Sequence, residues 1–183
     1  LWPGVPGWAS GPRVLRGAPV EACGATLLER CHAPSHELRR TAVYQLSQLA
    51  APYPPAAPFL WGYLQRGDVY ACPATECLDA WVLHAPPRGR AETLVALTLD
   101  RRRLEDVRQR AVAHLIDLEA PETIVEPLWA LLAEEPALTW ALHIELLELA
   151  ARHGRPVALE HLAAVDDLWL QVAVLHAEVA LGS

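Results

Sequence analysis

The chain has no methionine, no asparagine and no lysine, so all 15 of its basic residues are arginine. The missing methionine points to an excised or processed region of a longer chain, and any domain count applies only to these 183 residues. Cysteine occurs four times, too sparsely for a disulfide-built mini-scaffold. No basic stretch followed by an apolar one opens the sequence as a signal peptide would. The expected setting is therefore reducing and intracellular, with the cytoplasm as its compartment. Uninterrupted apolar runs all fall short of the roughly 18 residues that a membrane-spanning helix needs, so no membrane partner is expected.

Leucine and alanine are the abundant residue types, and 52% of the chain is hydrophobic. That is enough to build a substantial core and too much for a disordered chain. The net charge of −7 argues against generic binding to a phosphate backbone. It is unevenly spread: residues 1–118 carry 13 Arg against 11 acids, and residues 119–183 carry 2 Arg against 11 acids. A basic-leaning middle therefore precedes a strongly acidic end.

Residues 1–19 hold four Pro and four Gly, a density of breakers that predicts an extended arm. Trp2 and Trp8 are costly to leave in water and are expected to lie against the domain or a partner. From Val20 the chain reads as short helices separated by Pro- or Gly-marked corners, with no series of alternating segments and hairpin turns. The expected helical segments are 20–31, 35–50, 59–67, 74–85, 90–100, 104–118, 122–135, 136–154 and 157–181. Ser35 is the expected cap of the second, Asp100 and Gly154 are boundary residues, and Pro127 either starts a helix or kinks one. Residues 51–58, APYPPAAP, make a rigid corner.

A stripe with i, i+4, i+7 spacing recurs at Ala42, Leu46, Leu49; at Cys77, Trp81, His84; at Ala111, Leu115, Leu118; and at Leu142, Leu146, Leu149. The interval between first members is nearly constant from Ala42 to Cys77 and from Cys77 to Ala111, and somewhat shorter from Ala111 to Leu142. Such a period accommodates two short helices and two turns. No helix of this length buries its apolar face alone, so each must stack on a neighbour. Two copies are closest: SHELRRTAVYQLSQL at 35–49 and LEDVRQRAVAHLIDL at 104–118. In both, carboxylates (Glu37; Glu105 and Asp106) stand in the first turn, where the helix dipole favours them.

These segments, HELRRTAVYQLSQL and DVRQRAVAHLIDL above all, resemble HEAT-like repeats of the phycobilisome-lyase type. The resemblance implies an all-α fold: a short α-solenoid of helical hairpins over residues 20–183 as one repeat domain, behind the arm at 1–19. It also implies a scaffold or recognition surface. An irregular helical bundle is the alternative fold, distinguished by contacts between the first and last helices.

Motifs for chemistry are poor. Cys23, Cys31, His32, His36, Cys72 and Cys77 supply zinc-type ligands, but C-x7-C-H-x3-H and C-x4-C lack the tight C-x2-C knuckle. Buried thiols are the expectation, with a zinc-stabilised domain or a Cys72–Cys77 disulfide left open by the spacing. The deoxyhypusine hydroxylases, HEAT-like iron enzymes, use repeated His-Glu motifs. This chain offers only His36-Glu37, with Glu160-His161 reversed and His143-Ile144-Glu145 interrupted. Adjacent carboxylates at Glu134-Glu135 and Asp166-Asp167 diverge on a helix by roughly 100° and read as solvated surface. Neither a nucleophile elbow nor a phosphate-cradling loop is visible.

No enzyme activity, cofactor or metal is therefore expected. The leading function is a protein–protein scaffold or adaptor segment of a larger protein or complex. Its candidate contacts are Trp2, Trp8, Arg39, Arg40, Arg102, Arg103, Arg108 and Arg110. The alternative is a HEAT-like nucleic-acid-binding domain that aligns Arg39 and Arg40 with Arg101 to Arg110 as a stripe. Trp129, Trp140 and Trp169 are assigned to packing between helices.

Overall fold

The computed structural model describes residues 19–66, 74–134 and 140–155, with the isolated positions 175 and 179. All the regular structure among the described residues is helical, and no strand occurs there. The arm at 1–19, apart from Pro19, and the helix expected at 157–181, apart from positions 175 and 179, lie outside the described residues, as do Cys72 and Trp169.

The chain divides into two compact units, Leu1–Pro86 and Pro87–Ser183. In the first, α1 (Val20–Arg30), α2 (His36–Ser47), α3 (Ala56–Arg66) and α4 (Ala74–His84) form two hairpins. α1 packs on α2 and α3 on α4, while the second helices, α2 and α4, pack on each other. The second unit holds α5 (Arg90–Leu99), α6 (Glu105–Asp117), the single turn α7 (Glu122–Val125), α8 (Pro127–Glu134) and α9 (Trp140–Arg152). The internal order is the same: α5 packs on α6, α8 on α9, and α6 on α9, with α5 against α7 and α8.

Local chemistry explains the boundaries. Ser35 caps α2, its Oγ accepting the Leu38 N–H at 3.5 Å, as its position before the apolar stripe predicts. The corner at 51–58 is shorter than expected, because Ala56-Ala57-Pro58 already forms the first turn of α3. Proline is tolerated there, where its missing N–H would have no intrahelical partner. Pro127 starts a new helix, and Asp100 caps the end of α5. Both α6 and α9 close with the same C-terminal motif. Glu119 (φ 48) and Gly154 (φ 62) take the left-handed position. Ala120 N–H then reaches the Leu115 carbonyl and Arg155 N–H the Ala150 carbonyl, each at 3.1 Å.

The recurring stripes form the cores of the units. Ala42, Leu46, Cys77, His84, Ala111, Leu115, Leu142, Leu146 and Leu149 are all buried, each such leucine contributing roughly 1.5–3 kcal/mol. Leu118 departs from the pattern at 37% exposure. α6 ends at Asp117, and the chain turns away at Leu118 before the left-handed Glu119.

Polar contacts between second helices recur at equal spacing. Arg40 reaches Glu76 at 3.4 Å from α2 to α4, and Gln109 reaches Glu145 at 3.5 Å from α6 to α9, each pair 36 residues apart.

Candidate functional site

The candidate arginines fall into two groups with different environments. Arg39 and Arg108 turn toward the chain's own backbone. Arg39 donates from Nη1 to the Ala33 and Pro34 carbonyls, both at 2.8 Å, and so ties down the turn between α1 and α2. Arg108, only 7% exposed, donates from Nε to the Thr98 carbonyl at 2.7 Å. That carbonyl belongs to the last turn of α5, where a cation also meets the negative end of the helix dipole. The Nη2 of Arg108 is buried without a hydrogen-bond partner. Both residues stand at the same place in their helices, three positions before Ala42 and Ala111.

The remaining arginines face outward to differing degrees. Arg40 is about half exposed, 54% for its side chain, beside Glu76. Arg110 is exposed and acts electrostatically on Glu145. The turn between α5 and α6 has its own organiser in Asp100. Its Oδ1 accepts the Arg102 backbone N–H at 3.0 Å, and its Oδ2 accepts from Arg103 Nε at 3.1 Å. The Arg102 N–H bond first, and then the Arg103 guanidinium, hold the Asp100 carboxyl below its usual range. Arg103 is consequently laid down, while the Arg101 and Arg102 side chains are exposed. Leu99 at 37% and Leu104 at 49% exposure flank them. The turn thus presents arginines between two partly bare leucines. Trp2 and Trp8 lie outside the described residues.

Among the described residues no three His, Cys, Asp or Glu side chains converge as a metal site. Cys23, Cys31 and Cys77 are buried, the Cys77 thiol against the Leu60 carbonyl at 3.5 Å, and burial pushes Cys31 up to about 12, far from a reactive thiolate. His32 packs edge-on against Phe59, ring centroids 4.7 Å apart, and His36 is exposed at the start of α2.

Two features were not read from the sequence as sites. One is His84, 1% exposed, which joins three segments of the first unit. Its Nδ1 accepts the Tyr53 N–H at 3.0 Å, and this fixes the tautomer in which Nε2 donates to the Leu46 carbonyl at 3.1 Å. The other is a cleft of about 290 Å³ between the C-termini of α6 and α9. Leu115, Ile116, Ala120 and Leu149 form its apolar wall, with Glu119, Arg152 and His153 beside them. His153 lies edge-on to Trp129 at 6.0 Å, and Arg155 stands over the same indole at 5.7 Å while pairing with Glu122. The Trp129 indole N–H is buried without a partner, so this ring is placed by packing and ring contacts.

No family model matches the chain, and neither a curated protein nor a solved structure matches it significantly.

Proposed function

We propose that the chain is a segment of a HEAT-like α-solenoid that works as a non-catalytic protein–protein scaffold or adaptor. Support for the repeat comes from a correspondence between the two units at one constant offset. It pairs Arg39 with Arg108, Ala42 with Ala111, Leu46 with Leu115, Pro58 with Pro127, Glu76 with Glu145 and His84 with His153. A unit of two hairpins, each burying its apolar stripe on the next, gives that spacing naturally.

The observation that carries the interaction reading is the α5–α6 turn. Asp100 fixes its backbone at Arg102, so the turn that carries the exposed Arg101 and Arg102 between Leu99 and Leu104 needs no backbone ordering on binding. Such an edge fits a partner that offers carboxylates beside apolar side chains. A phosphate backbone would reward a continuous row of arginines. Arg39 and Arg108, which would be needed for one, are bonded to backbone carbonyls.

Affinity capture with the intact chain against the Arg101→Ala/Arg102→Ala/Leu104→Ser variant tests this reading. The variant should lose its bound protein at physiological salt while keeping its far-UV helicity. Equal capture by both forms sinks the patch, and tight, salt-sensitive binding of DNA or RNA by the parent chain would favour the nucleic-acid alternative.

A further inference from the structure

We propose that the α5–α6 turn is occupied by the α6–α7 turn of a second copy of this chain, so that copies join head to tail through the two ends of α6. The inference rests on the reading of the α5–α6 turn as an interaction edge and names its partner. That edge carries the exposed Arg101 and Arg102 between Leu99 and Leu104, and it calls for carboxylates beside an apolar side chain. The opposite end of the same helix supplies them. Asp117, Leu118 and Glu119 are consecutive and all exposed, Leu118 to 37%.

Local structure sets the sign of each end. At the first turn, Asp100 is engaged by the Arg102 N–H and by Arg103, and Asp106 turns its Oδ1 to the Val107 N–H at 2.8 Å. The outward charge there is that of Arg101 and Arg102. At the other end, the left-handed Glu119 closes α6, and Leu118 leaves the stripe in which Ala111 and Leu115 are buried. Arg152, which lines the same cleft as Glu119, pairs with Glu148, and Arg155 pairs with Glu122. Neither Asp117 nor Glu119 forms an ion pair among the described residues. Each end therefore shows what the other lacks: two guanidinium groups with leucines, and two carboxylates with a leucine.

One copy cannot make this contact with itself. α6 has 13 residues and is about 20 Å long at about 1.5 Å per residue, with one turn at each end. A closed antiparallel pair is disfavoured too, because it would set the exposed Arg110, midway between the turns, against its own counterpart. A heterologous contact remains, in which each copy uses one end and leaves the other for the next. The charge of the whole chain has the same polarity, with 13 Arg against 11 acids in residues 1–118 and 2 against 11 in residues 119–183.

Sedimentation equilibrium of the full chain tests this. Each turn contributes few side chains, so the contact belongs with small, weak interfaces, and a dissociation constant of about 0.1 mM is expected. The weight-average mass should pass that of a dimer as the concentration approaches about 1 mM, and an about tenfold rise in salt should weaken association at least about threefold. Arg101→Ser/Arg102→Ser and Asp117→Asn/Glu119→Gln, each retaining its helicity, should stay monomeric alone. Mixed, they should form dimers and nothing larger, because only one intact pair of ends is then present. A monomeric parent, a parent that stops at the dimer, association indifferent to salt, or no recovery in the mixture would each overturn the proposal. Capture of a different protein by a monomeric parent would overturn it and leave the scaffold reading standing. Self-association with the expected behaviour and no such capture would keep this inference and remove a foreign occupant of the turn.

Discussion

His84 donates its Nε2–H to the carbonyl of Leu46, 38 residues earlier in the chain, at 3.1 Å. Its other nitrogen holds the Tyr53 N–H, so one buried neutral imidazole satisfies two backbone groups that the Pro-rich corner leaves without helical partners. Burial lowers the pKa of this imidazole from its ordinary value, and the hydrogen bond to Leu46 opposes that shift without cancelling it.

Because the folded-state pKa lies below the unfolded one, the unfolded chain takes up the proton first as pH falls. The contribution of His84 is therefore complete above about pH 6.5 and declines below it, by at most about 1.4 kcal/mol per pH unit, until the folded-state pKa is passed. Urea unfolding between pH 5 and 8 should show this slope in the parent chain and a shallower one in His84→Gln. Identical slopes would remove His84 as the cause. At pH 7.5, His84→Ala should cost about 1–3 kcal/mol, since the part-buried Tyr53 N–H loses its acceptor and the Leu46 carbonyl keeps only the Leu49 N–H.

Gly24 is required by the ring of Tyr53. A Cβ built at Gly24 would stand 2.6 Å from Tyr53 Cδ1 and 2.8 Å from Cδ2, closer than carbon atoms approach. Gly24→Ala should lower stability by about 1–3 kcal/mol despite the better helix propensity of alanine. In the background of Tyr53→Ala, the same change should be nearly neutral or stabilising. Additive effects in this double-mutant cycle would show that the contact is not the reason.

Glu119 occupies a left-handed conformation in which a side chain is disfavoured. Glu119→Gly should raise stability by about 1 kcal/mol, and Gly154→Ala, at the corresponding turn after α9, should lower it by about the same. Thermal or denaturant unfolding of the two variants measures both signs. A Glu119→Gly variant no more stable than the parent would mean that the carboxylate makes a compensating contact.

Arg108 serves the end of α5. Arg108→Ala should cost about 2 kcal/mol by leaving the Thr98 carbonyl buried without its donor. Arg108→Met should cost less, because its unbranched stem keeps filling the buried space that alanine would leave empty. Partner affinity, measured at a temperature where both variants are fully folded, should stay within about twofold of the parent. A larger fall in affinity would return Arg108 to the contact surface.

Much of the helical order was legible because its determinants are local. Ser35 lies one residue before its helix, Pro127 opens its own, and Glu37, Glu105 and Asp106 fall in first turns. The candidate surface was legible only in part. Composition placed arginines at 101–110, but a guanidinium stands far from its own backbone on a flexible stem, and its direction is set by acceptors on other elements. Arg102 and Arg108 have equal standing in the sequence; one is exposed, whereas the other is turned beneath α5. The last stripe was legible as well: Leu142, Leu146 and Leu149 are all buried.

By itself the sequence determined that the regular structure among the described residues is helical and where most of those helices start and stop, since breakers, caps and i, i+4 stripes act within a turn or two of chain. The tertiary structure alone decided which polar side chains were turned inward: His84 to Leu46, Arg108 to Thr98, and His153 to Trp129. A buried donor must find an acceptor, and that acceptor lies on whichever helix packing brings near, at a separation that no local pattern encodes.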